Sequence, residues 1–445
     1  MSGIVFFNTR DLEALRSFYL DSLGLNLWLD QGKCLIFEHN GFLVGFCIGE
    51  SSQSQGTITF LYDSKKLVDT AYERYKSIST SAPCVNSSFR IYHFWGADPE
   101  GRILEFQYFM KASEIQEDNS GIVEILNPDA SKPKLLLTRL LPQKAMEKLK
   151  EAFEVHANTS ERAMLAHEMK EHITGKDALV CLLSDTIDRS LIEATDKLKV
   201  IANYAVGYNN IDLEAAKARG IAVCNTPGVL TESTADLAWA LIMASARCIP
   251  QSDKYTREGK FVGWEPLLFL GKDVHHKTLG ILGMGRIGQA VARRAVGFGM
   301  KVIYHGPQIK ELNIPAQYVD FETLLRESDI LSLHLPLSSV TRHLIGEKEL
   351  KAMKPGAILI NTARGAIVDE KILIKALSEG WIWAAGLDVY EDEPEIPADL
   401  KRLSNVVILP HIGSASMETR EEMGMMAARN AIAVIQGKEA PARVV

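Results

Sequence analysis

Cysteine is scarce in this chain: six residues in 445, at positions 34, 47, 84, 181, 224 and 248. No CxxC pair occurs among them and none clusters with histidine, which excludes a zinc site of the usual spacing. Scattered thiols fit a reduced, cytoplasmic compartment in which each serves as a small buried apolar side chain. Long hydrophobic runs are also missing, and no stretch reaches the roughly 18 apolar residues that a membrane span requires. The start, MSGIVFFN, has neither the basic residues nor the apolar length of a signal peptide and reads as a strand. Positive charge is in deficit, 49 Lys and Arg against 56 Asp and Glu, for a net charge of -7. Without a concentrated basic patch, nucleic acid is excluded as the main partner.

What remains is an ordinary globular composition, 47% hydrophobic and 24% charged, on a chain too long for one core. Two or three domains are expected. The segment KASEIQEDNSGIVEILNPDASK is polar and has no sustained period, which predicts a linker over 113–132. Ahead of it, over 1–112, one pattern occurs twice. Residues 3–8 read as a strand, 11–23 as an amphipathic helix capped by Asp11, and 33–48 as short strands separated by Gly41. TITFLYD (57–63) is then a strand, 64–78 a helix, and IYHFW and RILEFQYF are strands about the turn Ala97-Asp98-Pro99-Glu100-Gly101. Repeated βαβββ units imply two similar half-sheets that pack together to bury their faces.

Through RDLEALRSFYLDSLGL and DPEGRILEF, this α+β region resembles the glyoxalase and extradiol dioxygenase superfamily, the vicinal oxygen chelate fold. Metal enzymes of that superfamily carry His or Glu ligands on the strands. Here only Glu105 stands at such a position, with Ile4 and Thr57 at two others. One carboxylate cannot hold a divalent metal, which needs several ligands. The resemblance therefore implies a metal-free module for ligand binding or for an interface.

After the linker, KPKLLLTRLL (132–141), DALVCLLS (177–184), KVIANYAV (199–206) and IAVCNT (221–226) are apolar runs with helical segments between them. That alternation predicts a parallel sheet covered on both faces. A long helix from Ser233 to about Arg247 then crosses into a second lobe. There a buried strand, Leu279 to Leu282, runs into Gly283-Met284-Gly285-Arg286-Ile287-Gly288 and a helix, the context that a dinucleotide-binding GxGxxG requires. The first glycine permits the turn, the second admits the pyrophosphate and the third allows close helix packing. The helix N-terminus offers free N–H groups to the phosphates. The next strand, KVIYHG, ends at Gly306, where a ribose-binding carboxylate is expected in this fold. Its absence permits NADP(H) as well as NAD(H) and tips the expectation toward NADP(H), although no arginine marks a phosphate clasp.

Four further strand-like runs, ILSLHLP, AILINTARG, WAAGLDVYEDEP and NVVILPHIGS, each end in polar residues. Ligands of such sheets gather at the carboxyl ends of strands, so Pro336, Arg364, Asp388, Glu393 and His411 should line one crevice. Reduction of a 2-keto acid needs a carboxylate clamp, a polarised ketone and a proton donor. Arg364 can supply a bidentate, permanently charged clamp. His411 titrates near neutral pH and can give or take the proton. Glu393 can orient the imidazole, and Asp388 is a candidate to meet the nicotinamide. Taken singly, each has a plainer alternative: Arg364 capping a strand end, His411 filling a turn, Glu393 in an exposed acidic loop.

The set VGYNNID, NTPGVLTESTADLA, GILGMGRIG, NTARG, GLDVYEDEP and LPHIGSAS, in this order over 133–445, resembles the D-isomer-specific 2-hydroxyacid dehydrogenase family. The resemblance implies that Arg364, Glu393 and His411 are catalytic and that backbone amides at Val206 and Gly207 help bind the substrate carboxylate. It also implies that Arg286, Ile287, Thr362, Ala363, Asp388 and Gly413 lie near the cofactor. The segment around GKFVGWEPLLFLG looks most like the glyoxylate and hydroxypyruvate reductase branch, in which the Trp264 position approaches a neighbouring subunit's active site in a homodimer. Plain interface packing is the other reading of Trp264. Trp381 and Trp383 alternate on the entry to a strand and are expected to share a packing face. The implied plan is a flavodoxin-like substrate lobe (133–232 and 417–445) and a Rossmann-like nucleotide lobe (233–416), both doubly wound α/β. Methionines 417, 423, 425 and 426 are expected to fill the core. Rival readings are another substrate, such as phosphoglycerate, hydroxyisocaproate or phosphite, and a non-catalytic nicotinamide-sensing protein.

Overall fold

The computed structural model describes residues 4–39, 42–49, 52, 57–86, 91–110, 122–160 and 162–445. The expected turn at Gly41 and residues 113–121 of the expected linker lie outside the described residues. The chain forms two compact units, Met1–Gly121 and Ile122–Val445.

In the first unit, β1 (Ile4–Thr9), β2 (Asn26–Asp30), β3 (Cys34–His39) and β4 (Phe42–Ile48) form a sheet of order β1-β4-β3-β2. The second sheet repeats that order as β5-β8-β7-β6, from β5 (Thr57–Leu61), β6 (Cys84–Asn86), β7 (Ile91–Ala97) and β8 (Ile103–Phe109). The first strand of each runs parallel to the last. Asp11 caps the helix Leu12–Ser17 by accepting from Ala14 N–H, and Ser64 caps Lys65–Tyr75 likewise from Leu67 N–H. One core joins both halves through Leu15, Tyr19, Phe37, Phe46, Phe94 and Phe106. Strands β2 and β6 were not apparent in the sequence. The first is mostly exposed and so lacks alternation, and the second is only three residues long.

The cysteines require a correction. Hairpin register places Cys34 opposite Cys47, and the two form a disulfide, while Cys84 is exposed and Cys248 half-buried. Only Cys181 and Cys224 are the buried thiols expected of all six.

The second unit has two lobes. In the first, β9 (Val123–Ile125), β10 (Lys134–Leu137), β11 (Glu154–Asn158), β12 (Ala178–Cys181), β13 (Val200–Asn203) and β14 (Ala222–Cys224) are ordered β14-β13-β12-β10-β11-β9. All pairings are parallel except that of β9 with β11. Because β9 lies inside the expected linker, the first lobe begins earlier than the sequence suggested; its pairing partners, not its own composition, make those three residues a strand. In the second lobe, β15 (Thr278–Leu282), β16 (Lys301–His305), β17 (Ala316–Tyr318), β18 (Ile330–Leu333), β19 (Ile358–Asn361), β20 (Ala384–Leu387) and β21 (Val406–Ile408) are ordered β17-β16-β15-β18-β19-β20-β21, all parallel. Strands β12, β13, β18, β19 and β20 are buried along their whole length, as sheets covered by helices on both faces require. Strand order reverses between β15 and β18, which opens a crevice at their carboxyl ends.

The helix Thr231–Ala246 carries the chain into the second lobe, burying Ala235, Ala238 and Ile242. The helix Met417–Ile435 returns to the first, where Met423, Ala427, Ala428 and Ala431 join the core of β10 to β14. Met417 is exposed, not core, because it opens the helix's first turn. Trp381 and Trp383 do not share a face: Trp381 packs on one side of the second-lobe sheet and Trp383 on the other, because they lie in the bend before β20 instead of in the strand. Among the described residues no helix is long and apolar enough to cross a membrane.

Candidate active site

The crevice between the lobes is a cavity of about 490 Å³, walled by both. On the second-lobe side, β15 turns through the glycine loop into the helix Arg286–Ala295. Gly283 has φ +99°, and a Cβ there would stand 2.6 Å from the His334 carbonyl oxygen. A Cβ at Gly288 would collide with the Gly283 carbonyl, whereas one at Gly285 would meet nothing. The chain thus packs tightly at the first and third glycines and leaves open space at the second, where a pyrophosphate would approach the helix N-terminus. Arg286, Ile287, Pro336, Thr362 and Ala363 line the same cavity. Among the described residues the buried Thr362 hydroxyl has no partner, an arrangement that costs free energy until a ligand supplies one. Gly306 follows β16, is buried and accepts from the Tyr318 hydroxyl at 3.3 Å; a Cβ there would also meet nothing. These features fit a nicotinamide dinucleotide.

The catalytic candidates converge from three strand ends. Glu393 Oε2 accepts from His411 Nδ1–H at 2.7 Å, and its Oε1 accepts from Tyr390 N–H at 3.0 Å. A carboxylate can only accept, so the bond leaves Nε2 of His411 for the substrate. Burial works to raise the Glu393 pKa, but the bond and charge of His411 hold the carboxyl below its ordinary range. Asp388 is almost fully buried and takes Ile412 N–H and Gly413 N–H, each at 2.7 Å. Its first task is to brace the turn in which His411 sits at φ +54°. Burial raises the Asp388 pKa above the usual carboxylate value.

Arg364, at the end of β19, bridges the lobes. Its Nη1 donates to the Ala363 carbonyl at 2.7 Å and its Nε to Asn209 Oδ1 at 3.2 Å. Burial lowers the guanidinium pKa somewhat, opposed by the Glu393 charge. The guanidinium lies against Gly207, where a Cβ would overlap Nη2 and come within 2.9 Å of Cζ. The Val206 carbonyl accepts from Asn225 Nδ2 and the Gly207 carbonyl from Asn203 Nδ2, both at 2.8 Å. Among the described residues, the Val206 and Gly207 N–H groups have no acceptor. Arg364 and these amides together present donors that could take an anion.

The sequence singled out neither Asn209, although it stands in the quoted VGYNNID, nor His334. The latter lines the cavity and pairs with Ser332 Oγ at 2.9 Å. Burial pushes its pKa down to about 4, so it is neutral at pH 7. Met423, expected only as core, also reaches the cavity wall. Trp264 is 84% exposed and is not among the residues lining the crevice of its own chain.

Residues 239–413 match the sequence profile described as D-isomer specific 2-hydroxyacid dehydrogenase, NAD binding domain. The chain is 53% identical to a glyoxylate reductase of Thermococcus litoralis over 318 residues, covering 70% of this chain and 96% of that protein. It resembles the solved TT0316 protein of Thermus thermophilus at a TM-score of 0.66 and 46% identity, over 70% of this chain and all of that one. An NADPH-dependent glyoxylate/hydroxypyruvate reductase of Sinorhizobium meliloti, solved with NADP and malonate, matches at 0.64 and 33%, over 71% of this chain and 97% of its own. Profile, identity and crevice agree: the chain belongs to the D-isomer-specific 2-hydroxyacid dehydrogenase family and is a nicotinamide-dependent oxidoreductase.

Proposed function

We propose that the protein reduces a small 2-keto acid, glyoxylate or hydroxypyruvate, to the 2-hydroxy acid with NAD(P)H. The observation that carries this reading is the Glu393–His411 pair, bonded at 2.7 Å, in one crevice with the Arg364 and Gly207 corner. Two similar proteins bear the name glyoxylate reductase or glyoxylate/hydroxypyruvate reductase. When bound, the reduced nicotinamide supplies a hydride to the keto carbon. Arg364 and the amides of Val206 and Gly207 hold the carboxylate and fix the carbonyl face. His411 Nε2 donates its proton to the carbonyl oxygen, and Glu393 stabilises the imidazolium before transfer and keeps the ring aligned. Closing of the lobes excludes water.

Gly306 leaves room for a 2'-phosphate, which favours NADP(H) over NAD(H). An initial-rate screen of glyoxylate, hydroxypyruvate, phosphohydroxypyruvate and longer 2-keto acids against both cofactors tests substrate and cofactor together. Failure to oxidise either cofactor with any of them would overturn the reading in favour of a nicotinamide-sensing role.

The working unit in this proposal is a homodimer. Phe261, Val262, Trp264, Leu267 and Leu270 are all exposed on one loop, a patch of the kind that marks an interface. Trp264→Ala should weaken dimerisation or raise KM, measured by sedimentation and initial rates. The first unit, with its twice-repeated strand order and the motifs noted above, is proposed to be a vicinal-oxygen-chelate-like module that works without a metal.

A further inference from the structure

The unit Met1–Gly121 takes no part in the chemistry above, yet one face of its second sheet carries a set of reactive side chains. Register aligns Leu61, Gln107, His93 and Cys84 in one row across β5, β8, β7 and β6, with Thr59, Glu105 and Trp95 in the next. Intervening residues Phe60, Phe94 and Phe106 face the core, so both rows lie on the sheet's other face. His93 Nδ1–H donates to Glu105 Oε1 at 2.6 Å, and Glu105 Oε2 accepts from Thr59 Oγ1 at 3.1 Å. The imidazole is 6% exposed and the carboxylate 11%, with the Trp95 ring edge-on at 5.1 Å.

Three valences of this cluster are unused. Among the described residues His93 Nε2 has no partner, and neither does the Gln107 side-chain amide, which is only 8% exposed. Both groups can still bond a ligand. Cys84, in turn, is the exposed one of the four free cysteines. Directly opposed residues of an antiparallel pair hold their Cβ atoms about 5 Å apart. Cys84 and His93 form such a pair, and the thiol is not hydrogen-bonded to Nε2 in this conformation. Leu61, Ile103 and Phe109, all exposed on the same face, supply an apolar wall.

We propose that this face is a covalent carbonyl-binding site for a small aldehyde, with Cys84 as nucleophile, His93 as base, Glu105 as the group that orients it, and Gln107 as donor to the carbonyl oxygen. His93 Nε2 takes the thiol proton while the Sγ–C bond forms and the C=O π bond breaks. The electron pair moves to the oxygen, which accepts from Gln107 and then receives the proton from the imidazolium. The product is a hemithioacetal, reached without oxidant, reductant or second substrate. No cofactor of the second unit enters, so the site stands or falls independently of the reductase.

The test uses the full chain without nicotinamide. Iodoacetamide alkylation of Cys84 is followed by peptide mass spectrometry, and acetaldehyde labelled with ¹³C at the carbonyl is followed by NMR. Alkylation should slow by about 100-fold in His93→Gln and in Glu105→Gln, the lower end of what a positioned base contributes. Acetaldehyde should protect Cys84 and give a hemithioacetal resonance that disappears in Cys84→Ser. Gln107→Leu should weaken that resonance and leave alkylation unchanged. Circular dichroism identifies any variant that fails to fold, and Glu105→Gln then replaces His93→Gln. Equal alkylation of the wild type and a folded Glu105→Gln, or a resonance that persists in Cys84→Ser, would overturn the proposal.

Discussion

Gly207→Ala is the substitution whose effect follows most directly from the geometry. The backbone there does not need glycine's left-handed region; what forbids a side chain is Arg364, whose Cζ would lie 2.9 Å from the new Cβ. Its Nη2 would lie closer still, at 1.9 Å; ordinary contacts sit near 3.5–4.0 Å, so the guanidinium must retreat by at least about 1 Å. It is the tip of a long side chain and can do so without unfolding the protein, at the expense of its bond to Asn209 and its aim at the substrate carboxylate. A misplacement of about 1 Å costs on the order of 100-fold, or about 2.7 kcal/mol of transition-state stabilisation. We therefore expect kcat/KM for glyoxylate to fall about 100-fold, the melting temperature to hold, and the dissociation constant of the reduced cofactor, by fluorescence titration, to stay put. Wild-type kcat/KM in Gly207→Ala would refute the assignment of Arg364 and Gly207 to one anion-binding corner.

Other expectations follow from the same crevice. His411→Gln should lower kcat by about 100-fold to 10,000-fold with cofactor affinity intact, and Glu393→Gln should lower it less, both read by steady-state kinetics. Thr362→Val removes a hydroxyl that lacks a partner; stability should be unchanged or higher, while cofactor binding weakens by the roughly 1 kcal/mol of one hydrogen bond. His334 titrates in the fold at about 4 but near 6.5 in an unfolded chain. The unfolded state therefore binds a proton that the folded state refuses between those values, and stability falls as pH drops from about 6.5 toward 4. Urea unfolding of His334→Asn should show a shallower loss across that window than the wild type does; an identical slope would show that His334 is not the group responsible.

The parts of the site legible in the sequence were those whose chemistry is local. Gly288 is imposed by the Gly283 carbonyl a turn earlier and Gly283 by its own positive φ, and a pattern of short range reports both, although the His334 carbonyl that also crowds Gly283 belongs to a distant strand end. Arg364, Glu393 and His411 could be grouped because parallel strands end on one side. Asn209 could not: its bond to Arg364 spans 155 residues and exists only when two lobes meet. Asp388 was a candidate to meet the nicotinamide and does line the crevice, but its bonds to the backbone amides of the His411 turn are a use that composition does not encode. The Cys34–Cys47 pairing depends on a hairpin register whose turn the sequence located only at Gly41. Strand β9 has three residues, too few for any period, and owes its place to the edge of β11.

The return of the chain to the first lobe sets an order on assembly during synthesis. Every strand of that lobe has been synthesised once Cys224 is made, but Met423, Ala427, Ala428 and Ala431, which cover one side of its sheet, follow only after the whole nucleotide lobe. Val444 N–H bonds back to the Val223 carbonyl at 2.7 Å, so the segment after that helix also edges the sheet. The continuous nucleotide lobe can finish while its partner still lacks a cover, and the corner formed by Gly207 and Arg364 therefore becomes whole only after that cover has been made.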